Sequence, residues 1–286
     1  MKVAFAGLGV MGFPMAGHLA KAGHEMTVFN RSSEKAQRWA SANAGRAGAT
    51  VAEAAAGVEM FILCVGNDDD VRQVVAQALP AMAAGSVVVD HTTTSAVVAR
   101  EMSELAAATG RAFVDAPVSG GQAGAENGQL TIMCGGTEAA FAKAEPVIAA
   151  YAKASRLMGP TGSGQLAKMV NQICIAGVVQ GLAEGLHFAT RAGLDPQLVY
   201  DAISKGAAQS WQMDNRWKTM TQGKFDFGFA VDWMRKDLGL VLDEAGRNGA
   251  ALDMTAMIDG FYAELQQMGG RRWDTSSLVA RLEKPQ

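Results

Sequence analysis

The chain has 286 residues, 49% of them hydrophobic and 19% charged, which is apolar material for one large core or two cores of ordinary size. A net charge of −3 without any long basic run excludes the electrostatic footprint of a nucleic-acid binder. No stretch approaches the roughly 18 uninterrupted apolar residues of a membrane span, and the cysteines (Cys64, Cys134 and Cys174) are scattered, odd in number and set in apolar runs, as expected of buried thiols in a reducing, cytoplasmic protein.

In chain order, KVAFAG (2–7) reads as a buried strand and MGFPMAGHLAKAG (11–23) as a helix ending at glycine. This opening is apolar, but glycines and Pro14 interrupt it and His18, Lys21, His24 and Glu25 follow closely, which argues against a secretion signal. EMTVFN (25–30) is a second strand and SSEKAQRWASAN (32–43) a second helix. MFILCVG (60–66) precedes a helix opened by Asp68, Asp69 and Asp70, whose carboxylates suit a helix N-terminus. SVVVD (86–90), RAFVDAPV (111–118) and LTIMCGG (130–136) continue the series. Strands alternating with helices imply right-handed crossovers, hence an α/β doubly wound, mostly parallel sheet covered on both faces.

After MGPTGSG (158–164) the pattern changes. From Gln165 to about Arg191 apolar residues recur at helical spacing without a turn signal, predicting one long helix. Asp195-Pro196 supplies an N-cap and a proline at the first helical position, and helical patterns occupy 230–249 and 253–268. The expected organisation is an α/β domain over 1–160 and an all-helical domain over 161–286, beginning in that long helix.

Gly7, Gly9 and Gly12 form G-x-G-x-x-G between a strand and a helix, with Val10 and Met11 completing the loop. The first glycine allows a tight turn, the second lets a pyrophosphate approach the backbone, and the third permits close helix–strand packing, with the helix N-terminus facing the anion. In NAD-selective sites an Asp or Glu about 20 residues on reads the ribose hydroxyls. Here Asn30 is followed by Arg31, Ser32, Ser33 and Lys35, a neutral residue beside a cation and hydroxyls that suits a 2′-phosphate. NADP(H) is therefore expected over NAD(H); the alternative is a solvated loop with an exposed arginine.

A second glycine-rich block, DAPVSGGQAGAENGQLTIMCGG (115–136), looks too rich in glycine for an ordinary helix or strand. Its Ser119, Gly120 and Gly121 offer a hydroxyl and backbone N–H groups suited to a carboxylate, unless they form only a tight turn. In GSGQLAKMVNQ (162–172), Lys168 and Asn171 are three apart on the predicted long helix and share a face.

These stretches, with GLGVMGFPMA at the start and KDLGLVLDEA at 236–245, resemble the β-hydroxyacid dehydrogenase family, in order and spacing and over nearly the whole chain. The family includes 3-hydroxyisobutyrate dehydrogenase and the tartronate, glyoxylate and succinic semialdehyde reductases. The resemblance implies a Rossmann domain followed by a helical domain, a nicotinamide cofactor, no metal, a small carboxylate substrate and a homodimer or homotetramer. It makes Lys168 the proton donor in reduction and the base in oxidation, with Asn171 aligning the substrate, and it sets Lys236 near the nicotinamide and substrate. A lysine does this near neutral pH only where desolvation or a neighbouring cation lowers its pKa, and Lys236 is a candidate cation. Without the family, Lys168 reads as a surface residue and Lys236-Asp237 as an ordinary charged pair.

Around this core, Val65, Gly66 and Asn67 follow one strand end, and His91 to Thr94 another; the resemblance puts Thr93 near the nicotinamide and its ribose. His91 departs from the family's usual residue, but Lys168 is preferred as the catalytic group. Asp232, one turn before Lys236, either faces the pocket or makes an ion pair; Trp211 either walls the site or packs in the core. Three alternatives remain: an NAD(H)-dependent 3-hydroxyisobutyrate- or serine-type dehydrogenase, an imine reductase (disfavoured by Lys168) and a non-catalytic NADP(H)-binding protein.

Overall fold

The structure, a computed structural model, describes residues 1–283. The first strand, β1 (Lys2–Ala6), buries Val3 and Phe5 in one core cluster and Ala4 and Ala6 in another, because alternate side chains leave opposite faces of a sheet. A strand buried on both faces needs an unbroken apolar run, and that is what the sequence contains. Eight more strands follow: β2 (Glu25–Phe29), β3 (Arg46–Ala47), β4 (Met60–Leu63), β5 (Val87–Asp90), β6 (Ala112–Asp115), β7 (Val118–Ser119), β8 (Leu130–Gly135) and β9 (Ala152–Gly159). Strands β3-β2-β1-β4-β5-β6 lie side by side, all parallel, in the doubly wound Rossmann order. Strand β8 runs antiparallel to β6 and β7 and parallel to β9, so the sheet is mostly parallel, as the alternation of elements implies.

The helices α1 (Gly12–Lys21), α2 (Ser33–Ala42), α3 (Val51–Ala54), α4 (Asp68–Ala78), α5 (Ala96–Ala108), α6 (Gly121–Glu126) and α7 (Glu138–Ile148) belong to this part of the chain. Their starts are local chemistry: the side chains of Thr50, Asn67, Ser95 and Thr137 accept the backbone N–H three residues on. Asn67 thus caps α4, while the three aspartates occupy its first turn. Two readings need correction. The run 111–118 breaks into β6 and β7 at Ala116-Pro117, and the glycine-rich block contains a short helix, α6. Proline has no N–H for a ladder, and α6 is entered through left-handed glycines, Gly120 (φ +130°) and Gly121 (φ +60°).

The remaining helices are α8 (Ser163–Arg191), α9 (Pro196–Ile203), α10 (Trp211–Thr221), α11 (Val231–Asn248), α12 (Asp253–Gln267) and α13 (Leu278–Leu282). Asp195 caps α9 ahead of Pro196, as its sequence predicts. The chain forms two compact units, Met1–Lys168 and the part from Met169 onward, and α8 runs through the division. The second unit packs Ala176, Val179, Leu182, Ala183 and Leu186 of α8 around Trp217, Met234, Leu238, Ile258 and Tyr262. By length and composition α8 is apolar enough to cross a membrane, although no uninterrupted apolar run marks it; 44% of its most apolar 18-residue window is buried inside the protein. The cysteine expectation holds for Cys134, which is buried; Cys64 is half-buried, and Cys174 is exposed because α8 is apolar on more than its core-facing side.

Candidate active site

The loops after β1, β4, β5 and β6 leave the carboxyl ends of parallel strands, the edge where α/β sheets collect ligands. In the first of them Gly7 adopts φ +94°, and a Cβ there would overlap the Cys64 carbonyl oxygen. A Cβ on Gly12 would overlap the Gly7 carbonyl, so the third glycine lets α1 press against the turn. Around Gly9 there is open space, with nothing within 4 Å of a Cβ. Met11, at the N-cap of α1, makes no side-chain cap; of the residues that follow, Phe13 donates its N–H to the Gly9 carbonyl at 3.1 Å and Pro14 has none to donate. A cradle that is closed at Gly7 and Gly12, open at Gly9 and uncapped at the helix end fits a pyrophosphate.

Asn30, at the end of β2, holds this loop: its Oδ1 accepts the Leu8 N–H at 2.8 Å and its Nδ2 donates to the Ser32 carbonyl at 3.1 Å. The Arg31 side chain is 90% exposed, with its guanidinium 3.5 Å from Asp70. Ser32 and Lys35 are exposed beside it. After β4, Val65 donates its N–H to the Thr92 hydroxyl at 3.0 Å, and Gly66 donates to Asp70 at 3.2 Å. The loops after β4 and β5 are therefore one hydrogen-bonded rim, with Asn67 and Thr93 on it. Ser119 closes β7, half-buried, directly before Gly120 and Gly121.

His91 is fully buried, its Nδ1 2.6 Å from the Ala116 carbonyl and its Nε2 2.7 Å from the Tyr151 hydroxyl. The carbonyl can only accept, so Nδ1 carries the proton and Nε2 accepts from tyrosine. Burial pulls the imidazole down to about 4 and keeps it neutral. Both nitrogens bond within the fold, which assigns His91 to holding Ala116 rather than to proton transfer. Its neighbour Asp90 is the reverse case: burial pushes the carboxyl up to about 7, against hydrogen bonds from Thr92. Stability carried by Asp90 is present below about pH 4 and lost as pH rises through 7, whereas that of His91 is present above 6.5 and lost as pH falls through 4. The two slopes oppose each other between pH 4 and 6.5. Chemical denaturation of His91→Asn is therefore expected to show stability falling with pH across this interval more steeply than in the wild type, by about 1 kcal/mol per pH unit.

Lys168, in the second turn of α8, is buried at 7% exposure. Asn171 lies one turn further along the same helix. In the second unit Asn171 Nδ2 donates to Gln172 Oε1 at 2.7 Å, and Gln172 Nε2 donates to Asp237 Oδ2 at 2.6 Å. Asp237 is 2% exposed and its other oxygen is 3.2 Å from Lys236 Nζ. One buried carboxylate thus ties Lys236 to Asn171 through Gln172. The candidate residues singled out from the sequence did not include Gln172 or Asp237; the signal was a pair of polar residues at helix positions otherwise filled by apolar ones. Asp232 does not reach Lys236: its oxygens accept from Gln266 at 2.5 Å and pair with Arg271 at 3.4 Å. Trp211 is 56% exposed, with the Arg216 guanidinium 5.1 Å from its ring centroid, so it is not a core residue. Among the described residues no group of three or more His, Cys, Asp or Glu is arranged to hold a metal ion.

Residues 2–162 match the NAD binding domain of 6-phosphogluconate dehydrogenase, and residues 162–282 the NAD-binding domain of NADP-dependent 3-hydroxyisobutyrate dehydrogenase. An oxidoreductase of Shewanella frigidimarina is 62% identical over 99% of this chain and 98% of its own. The 2-hydroxy-3-oxopropionate reductase of Escherichia coli is 33% identical over 99% and 97%. Among solved structures, the 3-hydroxyisobutyrate dehydrogenase of Mycobacterium tuberculosis, determined with L-serine, superposes with a TM-score of 0.91 at 30% identity, covering 99% of both chains. Fold, cradle and relatives define a nicotinamide-dependent oxidoreductase acting on CH–OH donors. The chain belongs to the β-hydroxyacid dehydrogenase family.

Proposed function

We propose that the protein is an NADP(H)-dependent dehydrogenase or reductase that interconverts a short β-hydroxy acid and its semialdehyde, with Lys168 as the general acid and base. The observation that carries this reading is the burial of Lys168 on a helix whose first turn is bonded to the loop after β5 at Thr92 and Thr94. Lysine is rarely buried unless its charge is compensated or used. The nicotinamide, when bound, supplies or accepts the hydride. Lys168 Nζ gives a proton to the carbonyl oxygen in reduction and takes it from the hydroxyl in oxidation. Asn171 aligns that oxygen, and Lys236, held by Asp237, adds positive charge for a bound anion. Ser119 and the Gly120–Gly121 backbone take the carboxylate. The Escherichia coli relative, a reductase of 2-hydroxy-3-oxopropionate, supports this class.

On this reading residues 1–160 serve the cofactor and 161–286 the substrate and subunit contacts. Val170, Val178 and Phe188 of α8 are exposed, and α9 buries none of its residues; these support a homodimer or homotetramer, which light scattering reads as two or four times the chain mass. The setting is reducing and cytoplasmic, where an exposed thiol such as Cys174 stays reduced.

The cofactor assignment rests on Asn30 and the exposed Arg31, Ser32 and Lys35. Arg31→Ala is expected to raise KM for NADPH about tenfold or more while leaving KM for NADH within about twofold, since one charge-assisted pair to a phosphate carries roughly 1.5–3 kcal/mol. An equal response of both cofactors refutes the assignment. A second reading, NAD(H)-dependent turnover of 3-hydroxyisobutyrate or serine, is favoured by Asp70, whose carboxylate lies near Arg31 and offsets its charge. That reading predicts NADH preference in the wild type.

A further inference from the structure

We propose that Asp115 and Gln165 are positioning residues that fix the first turn of α8 to the carboxyl edge of the sheet and thereby set where Lys168 stands; the proposal rests on Lys168 being the proton donor. Asp115 ends β6 and is fully buried. Its Oδ1 accepts the Gly162 N–H at 2.7 Å and its Oδ2 the Gln165 N–H at 2.9 Å, with the Gly164 N–H also directed at it. These belong to the first N–H groups of a helix, which have no partner within the helix, and a carboxylate there also complements the helix dipole. Both oxygens are committed to the base of α8.

Gln165, equally buried, spends both ends of its amide on the loop that carries Thr93. Its Nε2 donates to the Thr92 carbonyl at 2.8 Å and its Oε1 accepts the Thr94 N–H at 3.0 Å. Close contact completes the junction: a Cβ on Gly164 would overlap the Met133 carbonyl oxygen and stand 2.7 Å from the Asp115 carbonyl oxygen. The helix base therefore rests on β6 and β8 with no room for a side chain between them. Lys168 is the residue three after Gln165 and four after Gly164, on the next turn of the same face. A tilt at the base is carried directly to Nζ, and a displacement of about 1 Å costs on the order of 100-fold in rate.

The chemistry asks for a carboxylate and not an amide at 115, because an asparagine accepts through one atom only and would turn its own N–H₂ toward a backbone N–H. Gln165→Leu, Gly164→Ala and Asp115→Asn are to be compared with wild type and with Lys168→Ala, reading kcat at saturating substrate and NADPH, NADPH Kd by fluorescence, and Tm. Gly164→Ala removes no functional group and displaces the helix base. Gln165→Leu and Gly164→Ala are expected to lose about 10–100-fold in kcat with NADPH Kd within about threefold and a cooperative melt retained. Asp115→Asn is expected to lose more, and if it does not fold the other two decide. A kcat within about twofold of wild type in both, or a loss matched by equal weakening of NADPH binding, overturns the proposal. If Lys168→Ala keeps turnover the underlying reading fails; if it is inactive while Gln165→Leu and Gly164→Ala are fully active, only the positioning role fails.

Discussion

Lys168→Ala is expected to lower kcat by about 10²–10⁴-fold, the usual share of a positioned general acid, while NADPH still binds. The cradle at Gly7, Gly9 and Gly12, the Asn30 hold on Leu8 and the Val65–Thr92 rim are all distant in sequence from residue 168 and unaltered by the change. Lys168→Arg should not restore the rate, because a guanidinium keeps its proton under all accessible conditions and supplies charge without an acid. Steady-state NADPH oxidation together with cofactor titration by fluorescence separates the two effects. Loss of NADPH binding in step with activity would make Lys168 a residue of the fold, and unchanged turnover would remove it from the mechanism.

Asp237→Ala is expected to destabilise the protein by about 3–5 kcal/mol, the cost of breaking a buried ion pair from one side. Asp237 is 2% exposed, and the Lys236 side chain keeps only 24% of its surface in solvent, so little water is available to replace the lost carboxylate. Gln172 loses its acceptor in the same step, and Asn171 the orientation it inherits from Gln172. Replacing both charges with apolar residues of similar volume, Lys236→Met with Asp237→Leu, should cost less stability than Asp237→Ala, since the cation is removed with its carboxylate and the loss of the Gln172 acceptor is common to both variants. Urea denaturation distinguishes these outcomes. A loss under about 1 kcal/mol for Asp237→Ala would mean that the pair behaves as an exposed one.

The parallel half of the sheet was legible because strands buried on both faces must be written as uninterrupted apolar runs, and KVAFA, MFIL and VVVD are such runs. The long helix was legible for a related reason: helical spacing held from Gln165 to Arg191 without a turn residue, and α8 spans Ser163–Arg191. Strand β9 was not, because KASRLM alternates exposed and half-buried positions at a sheet margin and shows no apolar run. The glycine cradle could be read from spacing alone, since each of its glycines answers a separate steric demand. Asp232 could not: helical spacing sets it one turn from Lys236, yet Gln266 and Arg271, distant in sequence, draw its carboxylate elsewhere. Asp115 and Gln165 escaped for the same reason. Their partners lie 47 to 73 residues away, and no local pattern announces a hydrogen bond across that separation.

Interconversion of a short β-hydroxy acid and its semialdehyde with NADP(H) is tested by following NADPH and NADH oxidation with glyoxylate, succinic semialdehyde, tartronate semialdehyde and methylmalonate semialdehyde, and the reverse reaction with 3-hydroxyisobutyrate and serine. The expected result is turnover of at least one of these short carboxylates, with kcat/KM for NADPH about tenfold or more above that for NADH, as one phosphate-binding charge-assisted contact provides. Preference for NADH, or no turnover of any of them by folded protein that binds NADPH, would contradict it.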